Sequence, residues 1–147
     1  MSAYPNTLLH INGQWCAAAS GRALPVVNPA NHQQIGTVAY AEKADLDRAL
    51  EAAEAGFKVW RKVSAFERCK IMRKAADIFR ERADTVATCM TFEQGKPLIE
   101  ARMETLAGAD LIDWFAEEGR RAYGRVIPAR AEGVKAATGP TGSLTTS

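Results

Sequence analysis

The stretch TFEQGKPLIEARME, residues Thr91 to Glu104, decides how the chain is read. It holds a Gly-Lys pair, a proline and three acids, so it invites three readings: a phosphate loop, a carboxylate site, or a joint between helices. A phosphate loop needs a second glycine upstream, a preceding strand and a hydroxyl directly after the lysine. Here Pro97 follows Lys96 and no strand pattern comes before. Gly95 instead follows the last apolar-periodic residue of a helical run, where glycine closes a helix in the left-handed conformation. Pro97 suits the first turn of a new helix, because an amide there would have no intrahelical partner. The stretch reads as a place where one helix stops and another starts.

Working outward, the period upstream is helical. Leu46, Ala49, Leu50, Ala53, Phe57 and Trp60 recur at steps of three and four over residues 44–62. Ser64-Ala65-Phe66-Glu67 is a capping-box pattern that starts a second helix with Ile71, Met72, Ala75, Ile78 and Phe79 on its apolar face. A third helix is predicted over Asp84 to Gln94. A fourth runs from Pro97 to about Tyr123, roughly 40 Å at 1.5 Å per residue, and presents Ile112, Trp114 and Phe115. Residues 8–40 read as strands: Asn12-Gly13 is a hairpin signal, and Asn28-Pro29 with the polar residues 31–34 separates two apolar runs. From residue 131 to 147 the composition turns small and polar, which reads as a flexible tail.

Composition excludes several classes. The 147 residues suit one domain with a modest core, and a net charge of +2 is too small to imply nucleic acid or a membrane surface as partner. There is no run of about 18 apolar residues for a membrane span and no signal-peptide pattern. Cys16, Cys69 and Cys89 are odd in number and widely spaced, which points to a reducing cytoplasm rather than a disulfide framework. His10 and His32 are isolated, so no zinc cluster forms in sequence. No G-x-G-x-x-G occurs. Glu100 with Glu104 and Glu117 with Glu118 stand beside arginines, as acids on a solvated helix face do. Residue types and spacing alone reach a mostly helical domain with an N-terminal hairpin.

The ordered motifs carry more. INGQW, VVNPANHQQIGTV, the Asp45–Trp60 helix, MTFEQGKPLIEARME and WFAEEGRRAYGRVIP together resemble the N-terminal part of an NAD(P)-dependent aldehyde dehydrogenase, over about residues 8–130. EQGKPLIEAR with WFAEEGRRAYGR resembles the branch that oxidises succinate and 2-oxoglutarate semialdehydes. The resemblance implies an α/β fold, with residues 1–130 forming the first part of a cofactor domain (a β-hairpin followed by four helices) and 131–147 a non-matching tail. It implies an oxidoreductase using NAD or NADP on a small aldehyde, cytoplasmic and homo-oligomeric when full length. In such enzymes a cysteine attacks the aldehyde, hydride passes to the nicotinamide and a glutamate activates water. None of the catalytic or cofactor-binding residues maps onto this chain, and the three cysteines match no nucleophile position. The chain reads as a truncated portion, inactive and without bound cofactor by itself. One family feature does map: an alkali cation held by main-chain carbonyls, at Val26, Val27 and Glu93, suited to oxygen ligands. Read alone, these are two hairpin residues and an acid at a helix end. The rival class is a non-catalytic helical interaction module that binds through the long helix.

Overall fold

The computed structural model describes residues 4–128, 135–138 and 144–146. Two hairpins come first. β1 (Leu9–Ile11) pairs antiparallel with β2 (Gln14–Cys16). The turn between them places Asn12 at φ 52° and Gly13 at φ 76°, as a two-residue hairpin requires. β3 (Ala23–Val27) pairs antiparallel with β4 (Gln34–Ala39), with a bulge at Val26/Val27. The short antiparallel strands expected before the first helix thus form two hairpins. Residues 4–7 run beside β4: the Thr7 amide donates to the Thr37 carbonyl (2.8 Å) and the Ala39 amide to the Thr7 carbonyl (2.8 Å).

Four helices follow: α1 (Lys43–Trp60), α2 (Ala65–Glu81), α3 (Ala83–Gln94) and α4 (Leu98–Glu118). Ser64 caps α2 by accepting the Glu67 amide at 3.2 Å. The reciprocal half of the expected box is replaced, because the Glu67 carboxylate pairs with Lys70 at 2.7 Å. α3 closes on Gly95, at φ 73°, whose amide reaches the Thr91 carbonyl at 2.9 Å. Pro97 occupies the N-cap of α4, one position before the expected first turn. α4 also ends earlier than expected. Gly119–Arg121 tighten into a 3₁₀ turn, because Gly119 lowers helix propensity and no periodic apolar residue continues the face.

The helices pack through small residues. α4 turns Ala101, Thr105, Ala109 and Ala116 inward, all buried, against Cys69 and Ala76 of α2 and Ala83 and Ala87 of α3. These positions recur in whole helical turns, so they form one stripe. Gly108 lies beside it, where an added Cβ would stand 3.3 Å from the Phe79 ring. Small side chains let the axes approach closely. At the rim, Arg80 of α2 reaches Asp110 (2.8 Å) and Asp113 (2.6 Å) on α4, and Arg73 reaches Glu117 (3.1 Å). Such partly exposed pairs fix register more than they add stability.

α1 is held at its N-terminus. The buried Asp45 carboxylate accepts the Glu42 amide (3.1 Å), the Ala19 amide (3.0 Å) and the Arg48 guanidinium (2.7 Å). The Glu42 amide, then Arg48 and Ala19, hold this carboxyl below its ordinary value against the opposing effect of burial. The periodic face of α1 is otherwise open: Leu46, Leu50 and Phe57 are each more than half exposed. Trp114 and Phe115 on α4 are open too, whereas Ile112 is half-buried. The short hairpins offer too little surface to cover a helix of 18 residues.

β5 (Arg125–Pro128), β6 (Lys135–Thr138) and β7 (Leu144–Thr146) form a three-stranded antiparallel sheet in the order β5-β6-β7. Two of these strands fall where the sequence reads as a tail; short runs of β-branched residues such as Thr145 and Thr146 suit a strand once a partner pairs with them. The remainder of the expected tail lies outside the described residues.

Two consequences are measurable. Ala109→Leu should overfill the α4 stripe and cost about 1–3 kcal/mol, read as a lower urea midpoint by circular dichroism, while Met103→Ser on the open face should change it by less than about 0.5 kcal/mol. Open faces of this extent mark association surfaces. The isolated chain should bind a hydrophobic dye and sediment faster as concentration rises; a dye-silent, concentration-independent monomer would contradict the open faces.

Candidate functional site

The three positions singled out for an alkali cation belong to different elements. Val26 and Val27 end β3, and Glu93 sits in the last turn of α3. The fold brings their surroundings together. Pro29, two residues past Val27, lies against Gly95, where an added Cβ would stand 3.1 Å from the Pro29 ring. Val26 pairs across the hairpin with Gly36. An added Cβ at Gly36 would stand 2.5 Å from the Tyr4 ring. The Tyr4 hydroxyl in turn donates to the Glu93 carboxylate. Hairpin, N-terminal segment and helix joint therefore meet at one place.

The main-chain chemistry there suits a hard cation. A helical carbonyl is normally bonded by the amide four residues on. For Glu93 that residue is Pro97, which has no amide hydrogen. The Glu93 carbonyl thus keeps its lone pairs free of a helical donor. On the hairpin side, Val26 faces Gly36 but Val27 faces Gln34, so Ile35 is the extra residue of a bulge. A bulge interrupts the ladder, and this one lies opposite the two residues in question. Carbonyl oxygens are the ligands that hard cations take. Among the described residues, no group of three or more His, Cys, Asp or Glu side chains could hold a metal, so any ion here depends on the backbone.

The other candidates stay apart. His10 packs against Trp15 with ring centroids 4.8 Å apart and the planes tilted by 54°. His32 occupies the β3–β4 loop at φ 58°. Cys69 is buried and its thiol faces the Glu117 carboxylate at 3.7 Å. Its sequence neighbours turn away: Arg68 donates to the Val63 and Arg61 carbonyls, and Lys70 pairs with Glu67. Cys16 lies in another groove beside Arg48. Cys89 is half-buried in a groove of about 450 Å³ between Tyr4 and the α3 residues Thr88 and Phe92. Lys96, read as the lysine of a possible phosphate loop, pairs with Glu104 along α4. No cysteine among these has a base and a positive field together, as an activated nucleophile needs.

Tyr4 is the residue that sequence reasoning missed. Its partner is 89 positions away, and nothing local marks it. Burial first, then the hydrogen bond to Glu93 and the charge of that carboxylate, push its phenol up to about 12. Each of these disfavours the phenolate.

Comparison with known proteins identifies the family. The sequence profile of the aldehyde dehydrogenase family matches residues 15–145. The chain is 44% identical over 122 residues to the 4-(hydroxymethyl)benzenesulfonate dehydrogenase TsaD1 of Comamonas testosteroni, covering 83% of this chain and 26% of that protein. It is 43% identical over 118 residues to the NADP-dependent succinate-semialdehyde dehydrogenase of Escherichia coli, covering 80% and 24%. The crystal structure of succinate-semialdehyde dehydrogenase from Burkholderia pseudomallei superposes with a TM-score of 0.87 at 36% identity, over 93% of this chain and 28% of that one. The chain spans about a quarter of the length of the curated relatives it matches.

The Tyr4 contact has a spectroscopic signature. Because the fold favours the neutral phenol, the contact's stabilisation is present below the ordinary value of 10.0 and is lost as pH rises through about 12. Phenolate absorbance should therefore show a component near 12 that Tyr4→Phe removes. If that substitution leaves the titration curve unchanged, Tyr4 does not face Glu93.

Proposed function

We propose, since this chain belongs to the aldehyde dehydrogenase family, that the whole protein oxidises an aldehyde bearing a remote acid group to the carboxylate, with NAD or NADP as hydride acceptor. The observation that carries the substrate class is chemical. The relatives named above take their names from succinate semialdehyde and from 4-(hydroxymethyl)benzenesulfonate. Both molecules place an anionic group away from the carbon that is oxidised. A site built around a buried charge partner discriminates strongly against substrates that leave it unpaired. Between the two skeletons, the EQGKPLIEAR and WFAEEGRRAYGR stretches favour the aliphatic semialdehyde.

The described residues contain no dinucleotide fingerprint and no activated thiol, so no chemical step is assigned to them. Their part is architectural. The proposed alkali cation, bound by the carbonyls of Val26, Val27 and Glu93, ties the β3–β4 hairpin to the joint between α3 and α4. An ion at that point would neutralise the carbonyl end of the α3 dipole and fix the direction in which α4 leaves the joint. A second reading, a helical interaction module, draws on the open faces of α1 and α4. Among the described residues no helix is long and apolar enough to cross a membrane.

The test is a substrate comparison on the full-length protein. Succinate or 2-oxoglutarate semialdehyde should give a higher kcat/KM than benzaldehyde or betaine aldehyde, with 4-sulfobenzaldehyde between them. A preference for betaine aldehyde, which carries a cation instead of an anion, would overturn the substrate class. No reduction of NAD or NADP with any of them would favour the interaction module.

A further inference from the structure

We propose that Tyr4 is a positioning residue for the alkali cation site, holding the last turn of α3 so that the Glu93 carbonyl faces the bulge at Val26 and Val27. The inference rests on the cation reading given above and adds to it a side chain that supplies no ligand atom.

Three observations support it. Residues 4–7 are fixed along β4, where the Asn6 side-chain oxygen also accepts the Thr37 amide at 3.0 Å. That anchoring lays the Tyr4 ring on Gly36, in space that any Cβ would occupy. Gly36 is the cross-strand partner of Val26, so the ring starts one strand away from a candidate ligand. The ring's other end, the hydroxyl, binds Glu93. One rigid aromatic side chain thus spans from the hairpin rung to the helix end.

The need for such a strut follows from the joint itself. Glu93 is exposed, and Pro97 removes the amide that would have tied its carbonyl into the helix. A helix end without that bond frays. Ligand groups that must otherwise be ordered on binding weaken affinity by the cost of ordering them. Tyr4 on one flank and the Pro29–Gly95 contact on the other hold the turn before any ion arrives. Lys96 is drawn away toward Glu104, so its charge does not take the ion's place.

Hydrogen–deuterium exchange of the full chain tests this, in potassium chloride against choline chloride at equal ionic strength. Potassium at ten times its dissociation constant should slow exchange of peptides covering 22–40 and 89–98 by about tenfold. Tyr4→Phe should lose most of that difference, while the peptides of α2 exchange as before. Glu93→Gln, which keeps both the carbonyl and an acceptor for the phenol, should retain it. A Tyr4→Phe chain with the full potassium effect would overturn the positioning role and leave the cation site standing. Equal exchange of the unsubstituted chain in the two salts would remove the cation site and the role with it. Loss of the effect in Glu93→Gln alone would make the carboxylate itself the ligand, which also overturns the role.

Discussion

The close approach of α4 to α2 and α3 is the constraint on which the rest of the structure depends. It is possible because the inward positions of α4 are alanine, threonine and glycine rather than leucine or phenylalanine. Thr105 satisfies its own hydroxyl by bonding the Ala101 carbonyl at 2.8 Å, so even the polar member of the stripe needs no further partner. Once the axes are this near, α3 has one place to lie, and the turn at Gly95 must point toward the hairpin. The rim pairs from Arg73 and Arg80 then hold the register.

A core made of alanines excludes water but leaves the large apolar residues elsewhere. Many of them lie exposed on α1 and α4, among them Leu46, Leu50 and Phe57 on the first and Ile99, Met103 and Trp114 on the second. Beside relatives roughly three times as long as this chain, a unit with a small-residue interior and an apolar exterior is suited to lie against further polypeptide. The same physics makes the isolated unit prone to associate, because exposed apolar area is reduced by any partner that covers it.

The junction between hairpin and helix shows how a local stop signal acquires a second use. Gly95 and Pro97 are needed to end one helix and begin another. The same two residues create a free carbonyl at Glu93 and a concavity that Pro29 fills. A backbone oxygen released in this way is open to a cation, a property that no side-chain pattern advertises.

The sequence by itself determined the order of elements. Apolar periodicity marked all four helices, Ser64 and Gly95 marked where two of them begin and end, and Asn12-Gly13 marked a hairpin. These are short-range effects, set by φ/ψ preferences and by contacts three or four residues apart, so a linear reading captures them. The family likeness was legible for a related reason, since motifs keep their order and spacing along the chain. Tertiary structure decided the rest. Periodicity identified the apolar face of α1 but could not say that the described residues leave it open. Nor could it show that α4 buries its small residues instead of Trp114 and Phe115. The bulge opposite Val26 and Val27, the Tyr4 strut and the meeting of Pro29 with Gly95 join residues apart in sequence. Such contacts depend on which helix faces can approach closely, a property of summed side-chain volumes at an interface rather than of any local stretch.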